Sequence, residues 1–236
     1  MKVPADAFGF GDLAVIGGAD LVGQECLEGD CAVPVFAGGD AAACGGQGVA
    51  PFVDVGPQST HGPSIACAAA LGLVAGVAGG PARYEPGGLV RRDAVASVLL
   101  RTLEHLGADV PPAPASPRFG DLDGNVHADA IERLAAAGIL QGRSGNAYEP
   151  RAAVRRHQLA TLLVAALDHL TGQPWRAAVP PPYADVSGVH AGAIATATER
   201  GLLMGTSDGR FRPAAGTRRD QLASVMMRLV QGFEVD

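Results

Sequence analysis

Phe119-Gly120-Asp121-Leu122 opens a run that continues through His127, Ile131, Gly138-Ile139-Leu140, Gly142, Tyr148-Glu149-Pro150, Arg155-Arg156 and Leu159-Ala160. Tyr183-Ala184-Asp185-Val186 opens the run again, with His190, Ile194, Gly201-Leu202-Leu203, Gly205, Phe211-Arg212-Pro213, Arg218-Arg219 and Leu222-Ala223. From His127 to Ala160 one series maps onto the next by a constant shift of 63 residues. An earlier copy reads Phe52-Val53-Asp54-Val55, His61, Ile65, Gly72-Leu73-Val74, Gly76, Tyr84-Glu85-Pro86, Arg91-Arg92 and Val95-Ala96, with two extra residues between Gly76 and Tyr84. Three copies with this many matched positions are the sequence signature of a repeat architecture.

Each copy reads as helix, loop, helix. Ala130, Ile131, Leu134 and Ala135 fall on one face of a helix predicted over Val126 to Ala137. Gly138 ends it as a left-handed C-cap glycine. Gly142 and Gly145 serve the turn, and Tyr148 and Pro150 form a short extended piece. A second helix is predicted from about Arg155 to Leu170, its stripe made of Leu159, Leu162, Leu163, Ala166, Leu167 and Leu170. In the last copy Thr217, with Asp220 three residues on, resembles a capping box. The stretches Gly107–Pro117 and Gly172–Pro182 read as stiff, extended linkers. A copy of ~55 residues with two amphipathic helices holds too little core to stand alone, so the copies should pack on one another. The reading is mainly α: three helix-loop-helix repeats at 51–106, 117–171 and 182–236, packed as a pseudo-threefold bundle, with a linear stack as the alternative. Residues 1–50 read as an irregular or β segment, an acidic leader or the remnant of a passenger domain, with short strands at Leu13–Ile16 and Ala32–Ala37.

Composition bounds the function. The chain has 236 residues with 24 Asp+Glu against 18 Lys+Arg, and apolar residues make up 47% of it but aromatics only 5%, so the core must be aliphatic and alanine-rich. No stretch reaches 18 apolar residues, so no membrane span is expected. Residues 1–50 hold one base, Lys2, and seven acids, whereas residues 51–236 hold 17 Arg and 17 acids. Without a basic excess the chain is a poor candidate for nucleic-acid binding. Cys26, Cys31, Cys44 and Cys67 form no C-x-x-C pair and lean toward disulfides in an exported protein, with three pairings open. A zinc site and reduced structural thiols are the alternatives, although no His stands at ligand spacing beside Cys26, Cys31 or Cys44. No continuous apolar h-region follows Lys2, so no signal peptide is expected in this stretch.

The run of F-x-D-L/V, a helix ending in G-I/L-x-x-G, an aromatic-x-Pro and an Arg-led helix start resembles the S-layer homology (SLH) domain, over roughly residues 51–235. That family's second-helix start, Ile-Thr-Arg-Ala-Glu, is matched by Leu89-Val90-Arg91-Arg92-Asp93, Ala153-Val154-Arg155-Arg156-His157 and Gly216-Thr217-Arg218-Arg219-Asp220. The acid is Asp twice and is replaced at His157, and the family's Trp near the first helix is represented by His61, His127 and His190. The resemblance implies a non-enzymatic anchor on the cell wall or cell surface. It would bind secondary cell-wall polysaccharide, or a peptidoglycan-linked glycan, anionic and often pyruvylated, in grooves between repeats. It implies Arg91, Arg155 and Arg218 as ligand-binding residues and, less strongly, Asp54, Asp121 and Asp185. No cofactor is implied. A protein–protein or surface-array role with envelope proteins, or the tail of a longer envelope enzyme, are the competing readings.

Physical chemistry bears on the arginines separately. A cation in the first turn of a helix opposes the macrodipole, and here it recurs in every copy. A helix N-terminus with an Arg can gather backbone N–H groups and a guanidinium on one anion. The bland alternative is a salt bridge between repeats, for example to the early Asp of a neighbour. Arg92, Arg156 and Arg219 read as solvated charges, and the three histidines as ordinary packing or helix-start hydrogen bonding. Asp121, Asp123, Asn125, Asp129 and Glu132 imitate the spacing of a calcium loop, but Val126 stands where the turn needs Gly, so no metal is expected. Ser59, Ser64, Ser97 and Ser224 lack a nucleophile-elbow context, so no catalytic residue is expected.

Overall fold

The computed structural model describes residues 50–77 and 82–233, together with Cys44. The elements are α1 (Gly62–Ala70), α2 (Arg92–His105), α3 (Ala128–Ala136), α4 (Arg156–Thr171), α5 (Ala191–Glu199) and α6 (Arg219–Gln231), with a short 3-10 turn at Ser144–Asn146. Extended pairing among the described residues is confined to isolated bridges, so the fold is mainly α. The short helix of the second copy starts at Ala128, later than the Val126 predicted from periodicity, and His61, His127 and His190 occupy the N-cap positions of the three short helices. Each then stops at a left-handed glycine, Gly72, Gly138 or Gly201, with φ of 71°, 73° and 70°. The amide after each glycine bonds back to the helix: Leu73 to Ala68, Ile139 to Leu134 and Leu202 to Ala197. The strands suggested at Leu13–Ile16 and Ala32–Ala37 lie outside the described residues.

The long helices start where one unit meets the next. The Val90 N–H donates to the Thr217 carbonyl, Val154 to Val90, and Thr217 to Val154, at 2.9, 2.9 and 2.8 Å. These three bonds close a ring. Around it, the first helical amide of each long helix also crosses to a neighbour: Arg92 to Ala152, Arg156 to Ala215 and Arg219 to Gly88, each at 2.9 Å. The second amides follow, Asp93 to Pro150, His157 to Pro213 and Asp220 to Pro86. Amides left unpaired by the helix itself are thus satisfied by the next unit's loop. The helices pack in the same cyclic order, α2 on α3, α4 on α5 and α6 on α1, with α2 also touching α6.

The core is mainly aliphatic, with Tyr84, Tyr148 and Phe211 as its largest fully buried side chains. One cluster centres on Leu99, Leu103, Ile131, Leu134, Leu159, Leu163, Leu202 and Leu229, and the other joins α1 to α6 through Ile65, Cys67, Ala223, Met227 and Val230. Cys44 and Cys67 form a disulfide across 23 residues with Cα atoms 5.6 Å apart, which selects one of the pairings left open by sequence. Cys26 and Cys31 lie outside the described residues. The proline-rich linkers have no regular secondary structure, and they are not bare spacers: Val110 is buried, and the Arg200 guanidinium lies 4.1 Å over the Trp175 ring.

Candidate functional site: three seams between units

Arg91, Arg155 and Arg218 are the N-cap residues of α2, α4 and α6, in extended backbone conformation and exposed. Each therefore stands at the end of a seam, where a long helix runs beside the next unit's short helix. The seams are matched in their polar contacts. His127 Nδ1 lies 2.7 Å from Ser97 Oγ, His190 Nδ1 2.8 Å from Thr161 Oγ1, and His61 Nδ1 2.8 Å from Ser224 Oγ. The recurrent histidines thus bind the start of a short helix to the flank of the previous unit's long helix. They do not converge on the axis.

The arginines differ in their company. Asp93 is fully buried and pairs with Arg91, accepting from Nε at 3.1 Å and also from Nη2. It also accepts from the Ala94 amide at 2.8 Å and from Asn125 Nδ2, on the neighbouring unit, at 3.1 Å. Asp220 holds Arg218 in the same way, through Nε at 3.0 Å and Nη2 at 2.6 Å, and this hydrogen bond raises the Arg218 pKa. At the corresponding place in α4 stands His157. Its Nδ1 is 2.6 Å from the Pro213 carbonyl, so that nitrogen carries the proton and donates. Its ring lies 4.4 Å from that of His190. Burial, and then the nearby His157, lower the His190 pKa. Among the described residues Arg155 has no ion pair.

The first two amides of each long helix already donate to neighbouring carbonyls, so neither is free for an anion at the seam. The expected capping box also moves by one residue. Thr217 sits in the axial ring, Arg218 is the N-cap, and Gln221 Oε1 accepts from the Arg218 amide at 3.2 Å. Gln158 does the same for Arg155 at 2.9 Å.

Asp54, Asp121 and Asp185 each hold a turn. Asp54 accepts from the amides of Tyr84 and Glu85 at 2.7 and 2.8 Å, Asp121 from Tyr148 and Glu149 at 2.8 and 2.7 Å, and Asp185 from Phe211 and Arg212 at 2.9 and 2.8 Å. The middle residue of each aromatic-x-Pro turn has positive φ, 56° at Glu85, 59° at Glu149 and 58° at Arg212. That conformation is uncommon for a residue with a side chain, and the carboxylate clamp holds it. The amide of Tyr84 foremost, against a desolvation cost, lowers the Asp54 pKa; that of Phe211 does so for Asp185. At Asp121 desolvation is the largest influence and raises the pKa, but the Tyr148 and Glu149 amides outweigh it. The calcium-like set is divided in the same manner. Asp121 holds this turn, Asn125 reaches Asp93, and the buried Glu132 accepts from the amides of Arg118 and Phe119.

Arg92, Arg156 and Arg219, read from sequence as solvated, are half-buried ties between units. Their Nε groups donate to the carbonyls of Tyr148, Phe211 and Tyr84 at 2.9, 2.8 and 2.6 Å. Their Nη2 groups donate to Gln141, Met204 and Ala75. Each guanidinium lies over the same partner's ring, at 4.4, 4.5 and 4.6 Å. The tie to a neighbour weighed as the alternative role of the first arginine is made by the second. Only the repetition of Arg-Arg hinted at this, because neither residue's local sequence tells which way its side chain turns.

Helix-loop-helix units joined by matching histidine contacts define a repeat-built helical protein. The family model of the S-layer homology domain matches residues 118–160 and 182–223, and these segments are S-layer homology domains. The family is non-catalytic and associated with the cell surface and cell wall. Residues 52–105 lie outside that match yet carry the same aspartate clamp, C-cap glycine and N-cap arginine. The amylopullulanase of Thermoanaerobacterium thermosulfurigenes is 25% identical over 153 residues, which is 63% of this chain and 8% of that protein. Among the described residues no helix is long and apolar enough to cross a membrane.

Proposed function

We propose that this chain anchors to the cell envelope by binding an anionic secondary cell-wall polysaccharide, carboxylated or phosphorylated, at the seams between three repeats spanning 51–106, 117–171 and 182–236. Arg91, Arg155 and Arg218 supply the recognition. The observation that carries the reading is the recurrence of an exposed guanidinium at the same end of all three seams. Asp54, Asp121 and Asp185 act indirectly, by holding the turns that position each unit against the next. A surface that is neutral overall requires placed arginines, since no general basic field is present to attract a polyanion.

Purified sacculi test this. The chain should sediment with intact walls and remain in solution after the secondary polymer has been extracted. Equal sedimentation with extracted walls would reject the polysaccharide as ligand. The match to a short part of an amylopullulanase supports a second reading, in which the module is the anchoring part of a longer envelope enzyme. The reading frame around the coding sequence decides that.

A further inference from the structure

His157 and His190 come from different units, the first from the opening turn of α4 and the second from the N-cap of α5, and their ring centroids lie 4.4 Å apart. The hydrogen bonds around them fix which nitrogen of each ring carries its proton. The Pro213 carbonyl can only accept, so the His157 Nδ1 that lies 2.6 Å from it is protonated and donates. Thr161 Oγ1 has one hydrogen, and it is directed to the His157 carbonyl at 3.2 Å. The 2.8 Å contact of that oxygen with His190 Nδ1 then requires the imidazole to donate. In the neutral form of each ring the lone pair is therefore left on Nε2, and neither Nε2 has a hydrogen-bond partner among the described residues. An imidazole tied down through Nδ1–H, with Nε2 unengaged, is the form in which histidine ligates a metal. The other two seams lack such a pair, since Asp93 and Asp220 stand there in the place of His157, each holding an arginine.

We infer that His157 and His190 form a two-histidine site for a divalent transition-metal ion of the zinc, copper or nickel class, which bridges the second and third units across the α4–α5 seam. Zinc binds an imidazole nitrogen at about 2.0–2.1 Å, which puts the ring centre roughly 3.2 Å from the ion. Two centres 4.4 Å apart subtend roughly 90° at an ion so placed, and opening them to about 5.2 Å reaches the tetrahedral angle. Both rings are half-buried and Thr161 beside them is exposed, so the pair stands at the surface. Imidazole nitrogen favours these metals over magnesium and calcium, which take oxygen ligands. Among the described residues no group of three or more His, Cys, Asp or Glu side chains is gathered for a metal. The remaining positions therefore fall to water or an external donor, as in an open site and not a closed structural one. The inference does not depend on the anchoring reading above.

Calorimetric titration of the untagged full chain with zinc chloride at neutral pH tests this, with magnesium chloride as the control. Zinc should bind and magnesium should not. His157→Asn and His190→Asn should each weaken zinc about tenfold or more, whereas His127→Asn, in a seam with a single imidazole, should stay within about threefold of the parent. Thr161→Val removes the oxygen that orients His190 and should weaken zinc about tenfold, with Thr161→Ser restoring it. Because the ion ties two units together, zinc at about a hundredfold excess over its Kd should raise the melting midpoint of the parent chain by about 5 °C or more, and that of His157→Asn by less than half as much. Melting without metal checks that each variant is folded. The copper-loaded parent chain gives a readout that needs no variant: electron paramagnetic resonance should show coupling to two imidazole nitrogens. Zinc binding undiminished in both histidine variants, zinc binding abolished by Cys26→Ser or Cys31→Ser, a copper spectrum with one imidazole nitrogen, or no zinc binding by the parent chain would each overturn the assignment.

Discussion

Thr217 shows how one atom distinguishes otherwise matched residues. It shares the axial ring with Val90 and Val154, is 1% exposed, and its hydroxyl has no hydrogen-bond partner among the described residues. A buried unsatisfied hydroxyl costs about 1–3 kcal/mol. Thr217→Val, which copies the other two units, should therefore stabilise the chain by about 1 kcal/mol, seen as a midpoint some 2–4 °C higher in thermal melting. The aspartate clamps make a pH prediction. Asp54, Asp121 and Asp185 all have folded pKa values below the ordinary one. The stability they provide is complete above the unfolded value of about 3.9 and is lost as pH falls through the lower folded value. Between pH 7 and about 5 the depressed His127 and His190 should lower the melting midpoint as the unfolded chain gains their protons first, and the loss of the aspartate clamps should lower it further below about pH 4. Asp121→Asn can accept only one of the two amides, so it should melt lower at pH 7 and show a shallower acid decline.

At the scale of the element, the helix-loop-helix was legible before any coordinates. Leucine spacing marks the long helices, and Gly72, Gly138 and Gly201 stop the short ones because a left-handed residue is needed there. The second glycine of each G-x-x-x-G run has another reason. A Cβ on Gly142 would meet the Ala147 carbonyl at 2.7 Å and the Phe119 ring, and one on Gly205 would meet the Arg210 carbonyl at 2.8 Å. Gly142→Ala should therefore destabilise by roughly 1–3 kcal/mol, as overpacking does, and a denaturant titration would read it directly. Less legible were the helix starts. The shift of the cap from Thr217 to Arg218 depends on carbonyls of the next unit, which no local window contains.

For the whole molecule, closure matters more than any unit. In a linear stack the loss of a terminal repeat removes one interface, and the rest survives. Here a chain ending at residue 171 would lose α5 and α6, baring both α4 and α1 and breaking the axial ring. Such a two-unit chain should be mostly unfolded at 25 °C by circular dichroism, without a cooperative urea transition. A cooperative transition near the parent midpoint would indicate units that stand independently.

The sequence alone marked the helices, from 3.6-residue periodicity, and their stops and turns, from glycine and proline, because all of these are local. It also marked the paired arginines. Only the tertiary structure decided their division of labour. Arg92, Arg156 and Arg219 turn inward across the ring because a neighbour's carbonyl and aromatic ring receive them, while Arg91, Arg155 and Arg218 cap the helices and face out. The turn-holding bonds of the aspartates were hidden because their partners lie 26–31 residues away along the chain. The single replacement at His157 was visible from the start, but its pairing with His190 was not, because that ring comes from the next unit.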